Sequence, residues 1–470
     1  MKTVVTIGAA LLLSACAETS VVQMVSSDRA GFDTVQTGAQ RAVGASPAWA
    51  LSATEIEALD RRVHGLVHRK TINADTAVQV AILNNRALQA RFADLGLSST
   101  ELWEVAMGPV PSVGLSVSGL AGDVTRSLEG LVMQSALDAA TRKPRTEIAQ
   151  IRFRQAQLRA LSETIALAIE TRRAWIEAVG AFEKAALIAE AQNTADSSSE
   201  LASQLGRTGF MSKADQAREH ALTAVLAAER SEARLDAQLA KERLIRLMGL
   251  FGSSTEVFVP DALPGLPGRP RASADIERLA LVNRVDLAAG KLELEAVARE
   301  YRLTGQTRMI SDIALAAGLE AEASDADREV NPALSVDFEI PLYDTGPLAS
   351  KRGQMNYLRA ANSLAQQAID ARAEARMAYK SVTGRHAVAR HWRDVVLPLR
   401  KTIDEESLKS YSGMITSTFE LLEDARDGLE AQIGAAEAKR DYWLAETEVT
   451  AAIWGGAAGA GAGGKEEDKE

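Results

Sequence analysis

Through most of this chain the hydrophobic positions step by three, four or seven, the period of a buried helical face. From 146 to 204, Ile148, Ile151, Leu158, Leu161, Ile165, Ala168, Trp175, Val179, Phe182, Ala186 and Ala189 keep that step. Gln155 and Arg172 interrupt it, and Gly180 is the internal helix breaker. A straight helix of that length spans roughly 90 Å. Ordinary globular helices run about 11–12 residues, so this one requires a coiled-coil or barrel context. A shorter helical run over 213–249 ends at Gly249. Gly252, Pro260, Pro264, Gly265, Pro267, Gly268 and Pro270 then break the pattern across 250–273. A helix from Asp275 to Thr304 opens the second half, 348–409 gives a second long helix, and 416–454 gives its shorter partner. Pro398 predicts a local kink in the second long helix.

Ahead of each long helix the period changes to two. Apolar and small polar residues alternate from Pro111 to Gly119, and Leu128 to Leu137 is a weaker strand candidate. Ile310 to Leu319 and Leu334 to Tyr343 are the counterparts in the second half. Leu334, Val336, Phe338 and Ile340 share one face; Ser335, Asp337 and Glu339 share the other. That is the dyad pattern of a strand with one lipid face and one water face. Each candidate is about ten residues long, as a tilted membrane strand requires. Ordinary surface hairpins would show the same alternation. Gly108-Pro109 and Gly305 mark strand entrances.

The order of these elements recurs. Ala81-Ile82-Leu83-Asn84-Asn85-Arg86-Ala87-Leu88 returns as Ala280-Leu281-Val282-Asn283-Arg284-Val285-Asp286-Leu287, about 200 residues on, too long a period for a solenoid. Pro144 and Pro347 open the two long stretches, and Gly209 and Gly413 break them at nearly the same offset. Arg207-Thr208-Gly209-Phe210-Met211-Ser212 and Tyr411-Ser412-Gly413-Met414-Ile415-Thr416 are therefore read as two equivalent helix tips. Four strands per chain cannot close a barrel, and an open edge in lipid leaves backbone groups unpaired. A membrane-spanning form must oligomerise, and three copies would supply twelve strands.

The N-terminus adds an address. Lys2, an apolar run from Val4 to Leu13, and Leu13-Ser14-Ala15-Cys16 read as a signal peptide over 1–15. The apolar run is too short to cross a bilayer, which takes roughly 20 residues. Cys16 is the single cysteine of the 470-residue chain and leaves no disulfide to form. The site resembles a bacterial lipobox, which would place a covalent lipid such as palmitate on Cys16. Ala17 stands where lipoproteins kept at the inner membrane usually carry Asp, which favours the outer membrane of a Gram-negative bacterium. The net charge of −10 argues against nucleic acid, which needs a basic face. Aromatics are only 4 % of residues, which suits closely packed Ala-rich helices.

Catalytic chemistry finds no support. His64 and His68 share a helix face but lack the Glu of an HExxH site, and no second cysteine is available as a ligand. His386 and His391 are five apart and do not share a face well. Met211 and Met414 could relay copper(I), although Met on an apolar tip more often forms contact surface. No phosphate loop and no nucleophile motif occur. The expectation is a chain that is not an enzyme, with no metal and no cofactor beyond the lipid.

From about Asp75 to Ile453 the chain resembles the TolC-like outer-membrane efflux family. The resemblance is carried by Ala81-Ile82-Leu83-Asn84-Asn85, by Ile340-Pro341-Leu342-Tyr343-Asp344-Thr345-Gly346, by the two tips, and by Leu421-Leu422-Glu423-Asp424-Ala425-Arg426. It implies a mainly α chain with a small β part: long antiparallel helices in a trimeric α-barrel, and four strands per chain completing a 12-stranded β-barrel. It implies a passive exit duct docked onto a periplasmic adaptor and an inner-membrane transporter. The segment Leu397 to Met414, followed by Phe419-Glu420-Leu421-Leu422, is similar to members found with copper-handling systems, hence a link to metal resistance. Two departures stand out: the strands lack interfacial Trp and Tyr girdles, and 455–470 is a Gly/Ala-rich then charged tail.

The expected division is a signal over 1–15, a lipid-anchored linker and equatorial segment over 16–72, one repeat over 73–249, an equatorial linker over 250–273, the second repeat over 274–454, and the tail. At the tips, Arg207, Gly209, Phe210, Met211, Tyr411, Gly413, Met414 and Ile415 are the expected adaptor-docking residues; Gly209 and Gly413 would permit the reversal. The bland alternative is packing across the turn. Glu420, Glu423 and Asp424 are candidates for an acidic gate, since carboxylate rings select cations; a solvated helix face is the alternative. The competing reading of the whole chain is a lipid-anchored periplasmic coiled-coil adaptor or structural rod without a pore.

Overall fold

The computed structural model describes residues 19–108, 112–118, 126–270, 273, 275–307, 312–323, 328–339, 347–413, 415–416 and 418–455. The signal, Cys16, the passage from Ile340 to Gly346, Met414 and the tail beyond Gly455 lie outside the described residues. The helices are α1 (Thr19–Val25), α2 (Phe32–Val43), α3 (Ala53–Val67), α4 (Ala74–Asn84) and α5 (Arg86–Met107). They continue with α6 (Ala136–Arg207), α7 (Lys213–Leu247), α8 (Ile276–Asn283), α9 (Val285–Thr307), α10 (Pro347–His391), α11 (Leu397–Ser412) and α12 (Thr418–Trp454). The strands are β1 (Ser112–Ser118), β2 (Arg126–Ser135), β3 (Asp312–Ala323) and β4 (Arg328–Glu339). Among the described residues no helix is long and apolar enough to cross a membrane.

The chain forms two compact units. One gathers Arg91–Ala160 and Asp286–Gln367 with the start of the chain up to Val35. It holds one antiparallel sheet in the order β1-β2-β3-β4. Within each hairpin the register runs from Ser112↔Met133 to Ser118↔Ser127 and from Asp312↔Glu339 to Ala323↔Arg328. The two hairpins, far apart in the chain, join through β2 and β3 from Arg126↔Ala323 to Ser135↔Ala314. β1 and β4 are therefore edge strands. Helices α6 and α9 of this unit are tied by Gln155 donating to Glu293 at 2.9 Å and by the pairs Arg152–Glu300 and Arg299–Glu147.

The second unit gathers Gln36–Ala90, Leu161–Val285 and the chain from Ala368 onward. Its larger core packs Val80, Leu83, Trp175, Val179, Leu244 and Met248. Trp175 is held by its indole N–H, which donates to the Ile72 carbonyl at 3.0 Å. A second cluster surrounds the fully buried Tyr442, with Ile276, Val382 and Val449. The Pro/Gly-rich linker is strapped down by side chains that meet its backbone. Trp443 donates to the Pro264 carbonyl at 3.0 Å, His386 Nε2 donates to the Pro267 carbonyl at 2.8 Å, and Glu183 accepts from the Leu263 N–H at 3.1 Å. Those bonds satisfy backbone groups of 263–267, a stretch that lies in no helix or strand.

Several boundaries differ from the sequence reading. Pro144 does not open α6 but lies inside it, because the helix begins at Ala136. A missing N–H costs one bond, and a 72-residue helix absorbs it. The segment read as one helix from Asp275 is two, broken at Arg284, whose φ and ψ are −61° and 122°. Its N–H still reaches the Ala280 carbonyl. Asn85 breaks α4 from α5 in the same conformation, φ −66° and ψ 117°, with its N–H on the Ala81 carbonyl. Ahead of Pro398 the helix widens into a π-helical turn over Trp392–Val396, which accommodates the residue that cannot donate. β4 starts at Arg328, not Leu334, and carries Pro332 opposite Leu319; proline is tolerated there because β4 is an edge strand.

Candidate functional site

The two helix tips and the first turns of α12 are where sequence analysis places function. At the first tip α6 ends in a Schellman closure. Gly209 adopts φ +78°, its N–H meets the Gly206 carbonyl at 3.2 Å, and the Phe210 N–H meets the Leu205 carbonyl at 2.9 Å. Glycine is the residue that enters this left-handed conformation without cost. α7 then starts at once: Ser212 caps it, accepting from the Asp215 N–H at 3.1 Å and donating its hydroxyl to Asp215 at 2.6 Å. Between closure and cap the Phe210 ring is 85 % exposed. Arg207 is exposed, and Met211 is half-buried.

The second tip has the same wide bond in a different register. The Ile415 N–H meets the Ser410 carbonyl at 2.9 Å, and Ile415 is 81 % exposed. Gly413 has φ −83° and ψ 5°, which any residue adopts, so it is not the equivalent of Gly209. Counting from the shared bond sets Phe210 against Ile415, and Gly209 against Met414, which lies outside the described residues. Tyr411 is half-buried on the last turn of α11.

The three candidate gate acids separate. Glu420 and Glu423 are exposed on the first turns of α12. Asp424 is half-buried and accepts a hydrogen bond from the Ser407 hydroxyl of α11. It belongs to a network the sequence reading missed. Arg400 pairs with Asp427 at 3.0 Å across the same helix pair. Asp404 lies among them with one carboxylate oxygen buried and unpartnered. Burial pushes the Asp404 carboxyl up, Arg400 pulls it back, and Asp424 pushes it further up. Only the α11–α12 register brings these residues together, and spacing along the chain does not announce it. His64 and His68 stack with ring centroids 4.4 Å apart, and no group of three metal-ligating side chains occurs among the described residues.

No family model matches the chain, and no curated protein matches it. Solved structures do. The CmeC outer membrane channel of Campylobacter jejuni superposes with a TM-score of 0.71 at 14% identity, over 87% of this chain and 89% of that one. The outer membrane protein VceC of Vibrio cholerae gives 0.67 at 15% identity, over 82% and 96%. The open state of the MtrE outer membrane channel of Neisseria gonorrhoeae gives 0.61 at 14% identity, over 82% and 89%. The likeness is one of fold: the chain is built like these outer-membrane channels.

Proposed function

We propose that this chain is a passive exit duct of the Gram-negative outer membrane, lipid-anchored at Cys16 and acting as a homotrimer in a tripartite efflux system. The observation that carries this reading is the four-stranded sheet with two open edges, set in a chain with the fold of outer-membrane channels. One copy leaves β1 and β4 unpaired on their outer sides; three copies close twelve strands and remove both edges. The recurring order of helix pair, hairpin, long helix and shorter helix is read as a duplicated unit. The helices need partners as well. Val225, Leu235 and Leu239 on α7 and Ile369, Met377 and Leu408 on α10 and α11 are exposed in the single chain, and neighbouring copies would cover them. Periplasmic adaptor and inner-membrane pump are the partners assigned to the exposed tips. Copper is the cargo favoured by the segment from Leu397 to Leu422; a deletion strain that keeps full copper tolerance while losing other efflux removes it.

Planar-bilayer conductance of the purified, detergent-solubilised chain, with trimer mass checked, tests the duct. Discrete cation-preferring channels are expected. Folded monomers without conductance would instead support an anchored rod. In the same assay, Glu420→Ala with Glu423→Ala should raise single-channel conductance and weaken block by divalent cations, because it removes exposed negative charge near the tip. Unchanged conductance and block would take both residues out of the gate.

A further inference from the structure

Helices α6, α7 and α12 enclose a cavity of about 80 Å³, with Ile188, Ala195, Leu222, Leu226, Leu429 and Ile433 forming apolar wall. Glu219 of α7 lines it and is 3 % exposed. Its Oε2 atom is buried and has no hydrogen-bond partner. The other charged groups facing the cavity leave it uncompensated. Arg426 and Glu430, both on α12, pair with each other at 3.1 Å. Glu229 of α7 adds a further negative charge. α6 contributes Thr194 and Ser198, whose hydroxyls donate to backbone carbonyls of their own helix. His220, next to Glu219 in the chain, is hydrogen-bonded to Ser199 of α6 at 2.6 Å. Burial pushes the Glu219 carboxyl up, and His220 pulls it partly back.

We propose that Glu219 is a proton-operated latch of this three-helix junction. Protonated, it is a neutral group that the apolar cavity accommodates. Ionised, it is a buried charge with no cation assigned to it, and it gains by admitting water. One water needs roughly 10–15 Å³, so a cavity of about 80 Å³ has room for several once they can enter. The sign follows from the direction of the shift. A carboxyl raised in the folded state contributes stability that is fully present below its unfolded value and is lost as pH rises through its folded value. The junction is therefore tight in acid and loosens as pH rises through the raised value of Glu219. The latch is a property of the helix junction and stands whether or not the chain conducts.

Hydrogen exchange on the intact chain tests it, following amides of 188–198 and 219–229 and correcting for intrinsic rates. Wild-type protection should fall as pH rises through the raised value of the Glu219 carboxyl. Glu219→Gln, neutral at every pH, should stay protected throughout, while Glu229→Gln should keep the wild-type dependence. A flat wild-type profile overturns the latch, and so does a Glu219→Gln variant that retains the pH dependence. Loss of the dependence in Glu229→Gln would move the titration to Glu229 and overturn it equally. A Glu219→Gln chain that cannot fold also counts against it, because a neutral side chain of the same size should fit. Infrared spectroscopy supplies a second readout: a protonated-carboxyl band that in wild type persists to higher pH than that of an exposed glutamate and is absent in Glu219→Gln.

Discussion

Gly249→Val should lower the urea midpoint more than any other single surface-distant change in the helical unit, by a stability loss of roughly 3–6 kcal/mol. Gly249 closes α7 with φ +66°, a conformation that strains a β-branched residue. Space is the second constraint. A Cβ at 249 would stand 2.9 Å from the Asn84 carbonyl oxygen and 3.2 Å from the Asn85 Cα, both backbone atoms that cannot swing away. The close approach exists because two asparagines at the end of α4 serve the end of α7. Asn84 donates to the carbonyls of Met248 at 3.0 Å and Gly249 at 2.7 Å, and Asn85 donates to that of Leu247 at 3.0 Å. Those are carbonyls that a helix terminus leaves orphaned. Pushing the two ends apart breaks three side-chain bonds at a buried seam and opens the core beside Met248 and Leu83, both essentially fully buried. Asn84→Leu should cost less, about 2–4 kcal/mol, since it orphans carbonyls without straining the turn. A wild-type midpoint for Gly249→Val would mean that the α4–α7 seam is not what holds this end of the core.

The asparagine pair shows what was legible in the sequence and what was not. Its recurrence as Asn283-Arg284 marked two equivalent points of the chain but not that each ends a helix; the two caps share a conformation that the sequence pattern does not announce. The work the residues do was invisible, because it depends on a helix some 160 residues away in the chain. The second copy has also diverged: Asn283 donates to its own helix, and the buried Arg284 pairs with Glu374. As a helix-start signal proline was right at Pro347 and wrong at Pro144, where preceding turns already carry the helix. Pro332 lies within β4, ahead of the stretch from Leu334 that the alternation marked, and its tolerance there rests on edge position, a tertiary fact. The tips were legible at Gly209, where one residue type answers one backbone requirement, and misread at Gly413, where glycine meets no such requirement. Asp404 and Glu219 were beyond reach for a common reason: a carboxylate on a helix reads as solvated until its neighbours from other helices are known.

Charge placed on both tips should separate docking from conduction. In Phe210→Glu with Ile415→Glu, export in cells should fall to the level of a deletion strain, while purified trimers keep wild-type conductance and unfolding midpoint. Neither side chain supports the fold, since Phe210 is 85 % and Ile415 81 % exposed, and exposed substitutions usually shift stability by no more than about 0.5 kcal/mol. Their backbones are set by bonds the new residues retain, from the 210 and 415 N–H groups to Leu205 and Ser410. At an interface the balance reverses. A buried aromatic anchor is worth upwards of about 2 kcal/mol, and a carboxylate in its place must also be desolvated without a partner. Two such sites per chain, repeated in a trimer, act together, so the loss of adaptor binding should exceed a hundredfold, on the order of 3 kcal/mol or more. Co-purification with the adaptor reads the binding, and bilayer conductance reads the pore. Unimpaired export by the double variant would assign both side chains to packing across their turns and place the docking surface elsewhere on the helical unit. Loss of conductance along with export would mean that the tips hold the duct itself in shape, a different role from the one their exposure assigns.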